Sequence, residues 1–167
     1  MIYKPLEISQ YSVTGVDWAM IAMRIPKKSK GDTPLGGDRI GKLDLELASA
    51  LVKAGDDHAK CIRGINVYLK MQMQTGFMIE FQTYRHGVEC LNTSSTMHNE
   101  LKGLKGVKLA DEKQKGLPEK VYNRVVMISY QALRRIYKAR RNHRHPDWQI
   151  FCNWIEILPY FKELIKI

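Results

Sequence analysis

The clearest alternation of apolar and polar positions lies near the middle of the chain. Its apolar members are Ile65, Val67, Leu69, Met71 and Met73. Because successive side chains of a β-strand point to opposite faces of a sheet, this run predicts a half-buried strand. Near the N-terminus, Tyr11-Ser12-Val13 is typical of an edge strand.

Two segments before the central strand have apolar residues at helical spacing. Trp18–Arg24 predicts a short helix that ends before Pro26, because proline disfavours helical geometry in the residue that precedes it. Leu43–Val52 predicts a second helix, capped at its C-terminus by Ala54-Gly55. Residues 27–41, rich in Lys, Gly, Asp and Pro, indicate a loop between them.

After the central strand, the apolar run 77–81 predicts a helix that continues through Gln82, Arg85 and His86. Gln82 lies three or four residues from the other two, so we expect the three side chains on one helix face. Between residues 97 and 117 the sequence predicts a helix, an irregular linker at 103–106 and a short charged helix.

The last third of the chain has a 3.6-residue period of apolar residues over about five turns, which predicts one long helix from Val121 to about Arg141. Its polar face carries Arg124, Gln131, Arg134, Arg135 and Lys138. A turn at His143–Asp147 and a final helix from Trp148 to about Leu158 complete the chain. Together the elements predict an α+β fold in one domain, 1–167.

The composition is that of a globular protein with a strongly basic surface. The 167 residues include 27 Lys and Arg against 17 Asp and Glu, a net charge of +10. This charge favours phosphate, on a small nucleotide or along a nucleic acid, although a basic solvated surface explains it equally well.

The sequence predicts a cytoplasmic protein without a membrane segment. No apolar run approaches the roughly 18–20 residues that span a bilayer. The N-terminus lacks the apolar core of a signal peptide. Cys61, Cys90 and Cys152 are widely spaced, which favours reduced thiols over a disulfide framework or a metal site.

The residues with most chemical potential lie between Phe81 and Ser95. Arg85 has the fork geometry that binds phosphate, and Gln82 and Asn92 offer donors and acceptors to a base. Ser94 and Ser95, with Thr96, precede a predicted helix whose free N–H groups would add to anion binding. The stretch therefore indicates a nucleotide site. A Ser/Thr helix cap beside a surface arginine is the alternative.

This stretch resembles the signature of the flavin-dependent thymidylate synthases, Gln-x-x-Arg-His-Arg-x-x-Ser-x-Asn-Glu-x-Ser-x-Arg-Tyr. The residues that match it in register are Gln82, Arg85, His86, Asn92 and Ser95. The departures are Gly87 for the second Arg, Cys90 for a Ser, Thr93 for the Glu, and Met97-His98 for the final Arg-Tyr.

The resemblance extends from about Trp18 to Leu158. Arg24 loosely matches an Ala-Ala-Arg segment of the family, and Asp57-His58 matches a Glu-His pair by placement. Toward the C-terminus, the matches in the same order are Leu117-Pro118, Arg140 or Arg141, and Trp148-Gln149-Ile150. The resemblance implies a mixed or antiparallel sheet packed against long helices.

The family transfers a one-carbon unit from methylenetetrahydrofolate to dUMP with FAD as hydride carrier, in homotetramers whose active sites combine several subunits. The resemblance implies that Arg85 and Arg140 or Arg141 hold and polarise the nucleotide as catalytic residues. It places Gln82, Ser94 and Ser95 at the nucleotide. The resemblance also implies His58, His86 and Asn92 as flavin contacts, and assembly as a dimer or tetramer.

Because three charged positions of the signature are lost, the sequence favours nucleotide binding in a pocket like that of the family, with catalysis left open. An active FAD-dependent thymidylate synthase is one alternative, and a phage protein that sequesters a nucleotide signal without catalysis is another. The basic residues from Arg134 to Arg144 are compatible with nucleic-acid binding. His143-x-His145 with Cys152 is a weak indication of a metal site, because no second ligand cluster accompanies it.

Overall fold

The computed structural model describes residues 2–95, 100–116 and 120–166. Its strands are β1 (Glu7–Thr14), β2 (Asn66–Gln74), β3 (Val88–Thr93) and β4 (Val121–Ser129). Its α-helices are α1 (Val16–Arg24), α2 (Lys42–Lys53), α3 (Thr75–Phe81), α4 (Gly106–Gly116), α5 (Tyr130–Arg140) and α6 (Pro146–Glu156). Short 3-10 turns at Ile25–Lys27 and Lys60–Arg63 and a π-helical turn at Phe161–Ile165 connect or follow them.

The strands form one antiparallel sheet in the order β1-β2-β4-β3. The predicted strand at 65–73 is confirmed as β2, whose side chains at Val67, Leu69, Met71 and Met73 are at most 1% exposed. The segment containing Tyr11 is confirmed as an edge strand, since β1 lies at the end of the order of the described strands and pairs there with β2. The α+β prediction is therefore correct.

The helices other than α4 pack against one face of this sheet and enclose an aromatic core. Phe77 and Phe81 of α3 contact Trp148 of α6, with ring centroids 4.7 and 6.3 Å apart. Phe151, one turn along α6, contacts Phe81 at 5.5 Å. The opposite face, which we call the outer sheet face, exposes Tyr68 and Val125.

The long helix predicted from Val121 is wrong in its first half. Residues 121–129 form β4, and the helix begins only at Tyr130. The segment is rich in β-branched residues and places Tyr122, Val126 and Ile128 on the core face, which is strand periodicity. Ser129 marks the boundary, because its Oγ accepts a hydrogen bond from the Ala132 N–H at 3.2 Å and caps α5.

Four other helices agree with the sequence. α1, α2 and α6 begin and end within two residues of their predicted bounds, and the short charged helix is α4, none of whose residues is buried. Within the described residues, no helix combines the length and apolarity needed to cross a membrane.

The loop between α1 and α2 is fixed by a buried carboxylate. Asp44, 1% exposed, accepts hydrogen bonds from Arg24 Nε at 2.7 Å and from the backbone N–H groups of Asp32 and Thr33 at 3.1 and 2.9 Å. Burial opposes the charge of Asp44, but the bonds from Thr33 and Arg24 outweigh it and lower the pKa of the carboxyl. This anchor orders the loop beside α1.

Candidate nucleotide site

The C-terminal end of α3, at Phe81, forms one wall of the candidate site. Gln82 is the C-terminal cap residue, and Arg85 and His86 lie in the turn that leads to β3. The prediction that Gln82, Arg85 and His86 share a helix face is therefore wrong. Phe81 is the last buried residue of the helix, and the chain reverses its direction at Gly87.

A cavity of about 270 Å³ lies between this turn, β3 and β4. We call it the arginine cavity; its polar lining residues are Gln82, Tyr84, Arg85, Glu89, Cys90 and Arg124. Gln82 and Arg85, which the sequence predicted as nucleotide contacts, thus line the same space. Each has an exposed side chain.

Arg124 is the residue of this cavity that sequence reasoning missed. Its guanidinium is buried, with Nε donating to Thr93 Oγ1 at 2.7 Å and Nη2 to Met78 Sδ at 3.5 Å. With the Gln82 amide turned so that its oxygen faces the arginine, that oxygen accepts from Nη2 at 2.9 Å and from Nη1 at 3.1 Å. The assignment of 121–129 to a helix had placed Arg124 on an exposed face.

Gly87 stands where the signature has its second arginine, and its conformation disfavours a side chain. Its φ is +75°, a region that glycine adopts at little cost. A Cβ atom there would lie 2.5 Å from Ser129 Oγ and 3.3 Å from Ala132 Cβ. The Ser129 N–H also donates to the Gly87 carbonyl at 2.8 Å, so the turn packs directly on the start of α5.

A bulge in β3 separates the remaining signature residues from the arginine cavity. Cys90 pairs with Val126 of β4, whereas Asn92 pairs with Val125, so the register shifts by one residue. Asn92 therefore lies on the outer sheet face, where it lines a groove of about 290 Å³ that also includes Lys70, Ser94 and Asn123. Ser94 pairs with Asn123 through its hydroxyl at 3.1 Å.

Ser95 is exposed beyond the end of β3. The helix predicted to follow it begins at Met97, which lies outside the described residues, as do Thr96, His98 and Leu117-Pro118. Among the described residues, the next α-helix is α4, which begins at Gly106.

Arg140, at the end of α5, is held against the turn that carries Arg85. Its Nε donates to the Tyr84 hydroxyl at 2.8 Å, and its guanidinium lies 4.7 Å from the Trp148 ring centroid. Trp148 Nε1 donates to Glu80 at 2.7 Å, and this bond lowers the pKa of the Glu80 carboxyl against the opposing effect of burial. Tyr84 thus links Arg140 to the arginine cavity.

Arg141 has a different environment. It is exposed, and its guanidinium lies 5.5 Å from the ring centroid of Tyr137. Of the two arginines that the sequence left as alternatives, Arg140 has the contacts with the turn at 82–87.

His58 lies at a second, larger cavity of about 660 Å³ between α1, α2 and the turn at 60–63. We call this the His58 cavity; its lining is mainly apolar and includes Trp18, Met23, Leu47, Leu51 and Cys61. His58 and the arginine cavity therefore belong to different parts of one chain. His86, the second predicted flavin contact, is exposed in the turn after α3.

The predicted basic face of the long helix is only partly exposed. Arg134 is buried, with Nη2 donating to the Val52 carbonyl at 3.1 Å and Nη1 paired to Asp56. Gln131 is buried as well and accepts from Arg63 Nε at 2.9 Å. The side chains available to a nucleic acid on this face are thus Arg135, Lys138, Arg141 and Arg144. Among the described residues, no group of three or more His, Cys, Asp or Glu side chains is arranged to hold a metal ion.

Comparison with solved structures identifies a fold neighbour. The chain is similar over 98% of its length, and 98% of the neighbour's, to the flavin-dependent thymidylate synthase ThyX from Helicobacter pylori. Two structures of that protein with FAD and dUMP give TM-scores of 0.67 and 0.63 at 13% identity. This likeness confirms the predicted fold type. In sequence, the chain matches no protein-family model and no curated protein.

Proposed function

We propose that this protein binds a phosphorylated nucleotide of the uridine or thymidine type in the arginine cavity, together with FAD in an assembled oligomer. The observation that carries the proposal is the meeting of Gln82, Arg85 and Arg124 at one cavity in a ThyX-like fold. The likeness covers almost the whole chain, and the neighbour was solved with both ligands bound.

The cavity has the chemistry that a nucleotide requires. Two guanidinium groups border it, and each offers planar forks of N–H donors that match phosphate oxygens. Gln82 supplies an amide, and Tyr84 supplies an aromatic ring at the same wall. The hydroxyl of Tyr84 is fixed by Arg140, so the ring is held in place before any ligand arrives.

The residues of the His58 cavity fit FAD in chemical character. Trp18, Met23 and Leu47 give an apolar lining that suits a flat isoalloxazine ring, and Lys27 and Lys60 are exposed cations at the same cavity. FAD supplies hydride transfer when it is bound. Because this cavity and the arginine cavity are separate in one chain, the proposal requires subunits to bring them together.

Methylation of dUMP is the less favoured function. The turn disfavours a side chain at Gly87, where the signature has an arginine, and Thr93 replaces the signature's acidic residue beside Arg124. Each lost charge removes bonds of about 1.5–3 kcal/mol. A protein that only binds or sequesters its nucleotide carries out no turnover and therefore does not need these groups.

The exposed thiol of Cys90 provides the test of nucleotide binding. Cys61 and Cys152 are buried, and burial raises the pKa of both thiols, that of Cys152 to about 11. Alkylation near neutral pH is therefore expected at Cys90, which lines the arginine cavity. We expect dUMP to slow this alkylation in the wild type and in Arg144→Gln, and to have little effect in Arg85→Gln.

An absorbance spectrum with added FAD and tritium release from labelled dUMP separate binding from catalysis. A protein that binds dUMP without tritium release has a binding function only. Stoichiometric flavin with tritium release establishes the enzyme instead. Alkylation of Cys90 that dUMP leaves unchanged in the wild type refutes the proposed site.

A further inference from the structure

Arg124 carries a buried positive charge with no carboxylate partner among the described residues. Its side chain is 7% exposed, and its three acceptors are the Thr93 hydroxyl, the Gln82 amide oxygen and the Met78 sulfur. All three are neutral, and a thioether is a weak acceptor. Burying a charge with only such partners is costly, because neutral groups replace its hydration incompletely.

Arg134, which is buried, and Arg24, which is half-buried, differ from Arg124 in this respect. Arg24 pairs with Asp44 at 2.7 Å, and Arg134 pairs with Asp56. The only acidic residue at the arginine cavity among the described residues is Glu89, and it forms no ion pair with Arg124 or Arg85. The fold thus pairs Arg24 and Arg134 with carboxylates and leaves the buried Arg124 facing a cavity.

We propose that Arg124 is the inner half of an oxyanion site that takes a phosphate monoester, with Arg85 as its outer half. This deepens the proposed nucleotide function, because it assigns the phosphate end of the ligand to a residue outside the signature. Thr93 and Gln82 orient the guanidinium, and the cavity that it borders with Arg85 gives the anion access. A bound phosphate supplies the missing counter-charge.

Two substitutions of Thr93 that have nearly the same shape and differ in charge test whether Arg124 lacks a counter-charge. The Thr93 Oγ1 lies 2.7 Å from Arg124 Nε, so Thr93→Asp places a permanent carboxylate where the arginine can bind it, whereas Thr93→Asn has nearly the same shape without the charge. We expect Thr93→Asp to bind inorganic phosphate at least about tenfold more weakly than Thr93→Asn. We also expect Thr93→Asp to melt at a higher temperature in the absence of phosphate.

The measurement is equilibrium dialysis with labelled inorganic phosphate, at constant ionic strength in chloride, supported by the rise in Tm that phosphate causes. Arg124→Met provides a second variant, because it replaces the charge with an apolar chain of similar length. It should lose phosphate binding and keep or gain stability in phosphate-free buffer. Arg39→Gln, an exposed arginine in the loop before α2, is the control for net charge.

The outcomes separate this inference from the proposed function. Equal phosphate binding by Thr93→Asp and Thr93→Asn, or by Arg124→Met and wild type, overturns the oxyanion site even if dUMP still protects Cys90. Loss of phosphate binding in Thr93→Asp and Arg124→Met, without any binding of dUMP by the wild type, supports the oxyanion site and refutes the nucleotide. A wild type that binds no phosphate overturns the oxyanion site outright.

Discussion

At the scale of single residues, Asp44 shows how one buried carboxylate governs a whole loop. It binds Arg24 and two backbone N–H groups, so Asp44→Asn leaves the Arg24 charge without its partner. Breaking a buried ion pair in this way costs about 3–5 kcal/mol. We expect Asp44→Asn to lower the free energy of unfolding, measured in urea near neutral pH, by an amount toward the lower end of this range. Glu46→Gln, on an exposed position of the same helix, should change the free energy of unfolding little.

The same residue gives a pH dependence with a defined sign. The pKa of Asp44 in the folded protein lies below its ordinary value of 3.8, so the carboxylate stabilises the fold fully above that value. This contribution is lost as the pH falls below 3.8 through the folded-state pKa. Wild type should therefore lose more unfolding free energy between about pH 6 and pH 3 than Asp44→Asn does. Parallel curves for the two proteins contradict the assignment.

A substitution at Gly87 tests whether this turn accepts a side chain, as the arginine of the signature would require. Gly87→Ala combines a positive φ with a Cβ 2.5 Å from Ser129 Oγ, whereas Gly103→Ala has a φ of +90° and open space around its Cβ. The backbone term costs about 1–2 kcal/mol at either position, and the clash adds to it only at Gly87. We expect Gly87→Ala to destabilise the protein more than Gly103→Ala in denaturant unfolding. Equal losses would show that Ser129 moves aside freely.

At the scale of elements, the packing of α5 and α6 against the turn at 82–87 depends on Arg140. Its bond to Tyr84 and its position over Trp148 are each worth about 1 kcal/mol. Arg140→Gln should therefore lower the free energy of unfolding by about 1–2 kcal/mol in denaturant unfolding. Arg141→Gln, the adjacent exposed position, should stay within about 0.5 kcal/mol of wild type. A reversed order would assign the packing role to Arg141.

The elements also show how far sequence patterns reach. β2 and α2 were predictable because their burial repeats every two or about 3.6 residues without interruption. β4 was missed because Val121, Val125 and Ile128 happen to fit a helical period as well as the start of α5 does. The β-branched composition of 121–128 and the capping Ser129 carried the contrary signal. With β4 recognised, Arg124 falls among buried alternate positions and becomes a candidate site residue.

The site itself was predictable only in part, for reasons that lie in local geometry. Spacing put Gln82 and Arg85 together correctly, although in a turn and not on a helix. The β3 bulge that moves Asn92 to the outer sheet face has no sequence signal of its own. The neutral surroundings of Arg124 are formed by three segments that meet only in the fold: α3 with its cap, β3 and β4.

At the scale of the whole molecule, the two cavities differ in chemical character and lie in different parts of the chain. The arginine cavity is polar and basic, and the His58 cavity is mainly apolar. They lie between different elements: α3, β3 and β4 for the first, and α1 and α2 for the second. Under the proposed function, a ligand pair that occupies both is therefore held by more than one subunit.

α1 carries the surface expected of such an assembly. Trp18, Ile21 and Ile25 are 64%, 37% and 67% exposed, and their spacing of three and four residues places them along one face of α1 and the turn that follows it. An apolar stripe of this kind beside a cavity is typical of an interface. We therefore predict a dimer or tetramer in solution, measured by size-exclusion chromatography with light scattering.

Trp18→Glu should shift this assembly toward the monomer, because it places a charge in the centre of the stripe. Val107→Glu is the matched control, since Val107 is 77% exposed on α4, away from α1 in sequence and outside the His58 cavity. Of the three tryptophans, Trp148 and Trp154 are buried, so acrylamide quenching reports chiefly on Trp18. Quenching of the wild type should increase on dilution, as subunits separate and expose the ring. A wild type that is monomeric at all concentrations, with quenching independent of dilution, excludes α1 as an interface and with it the shared site.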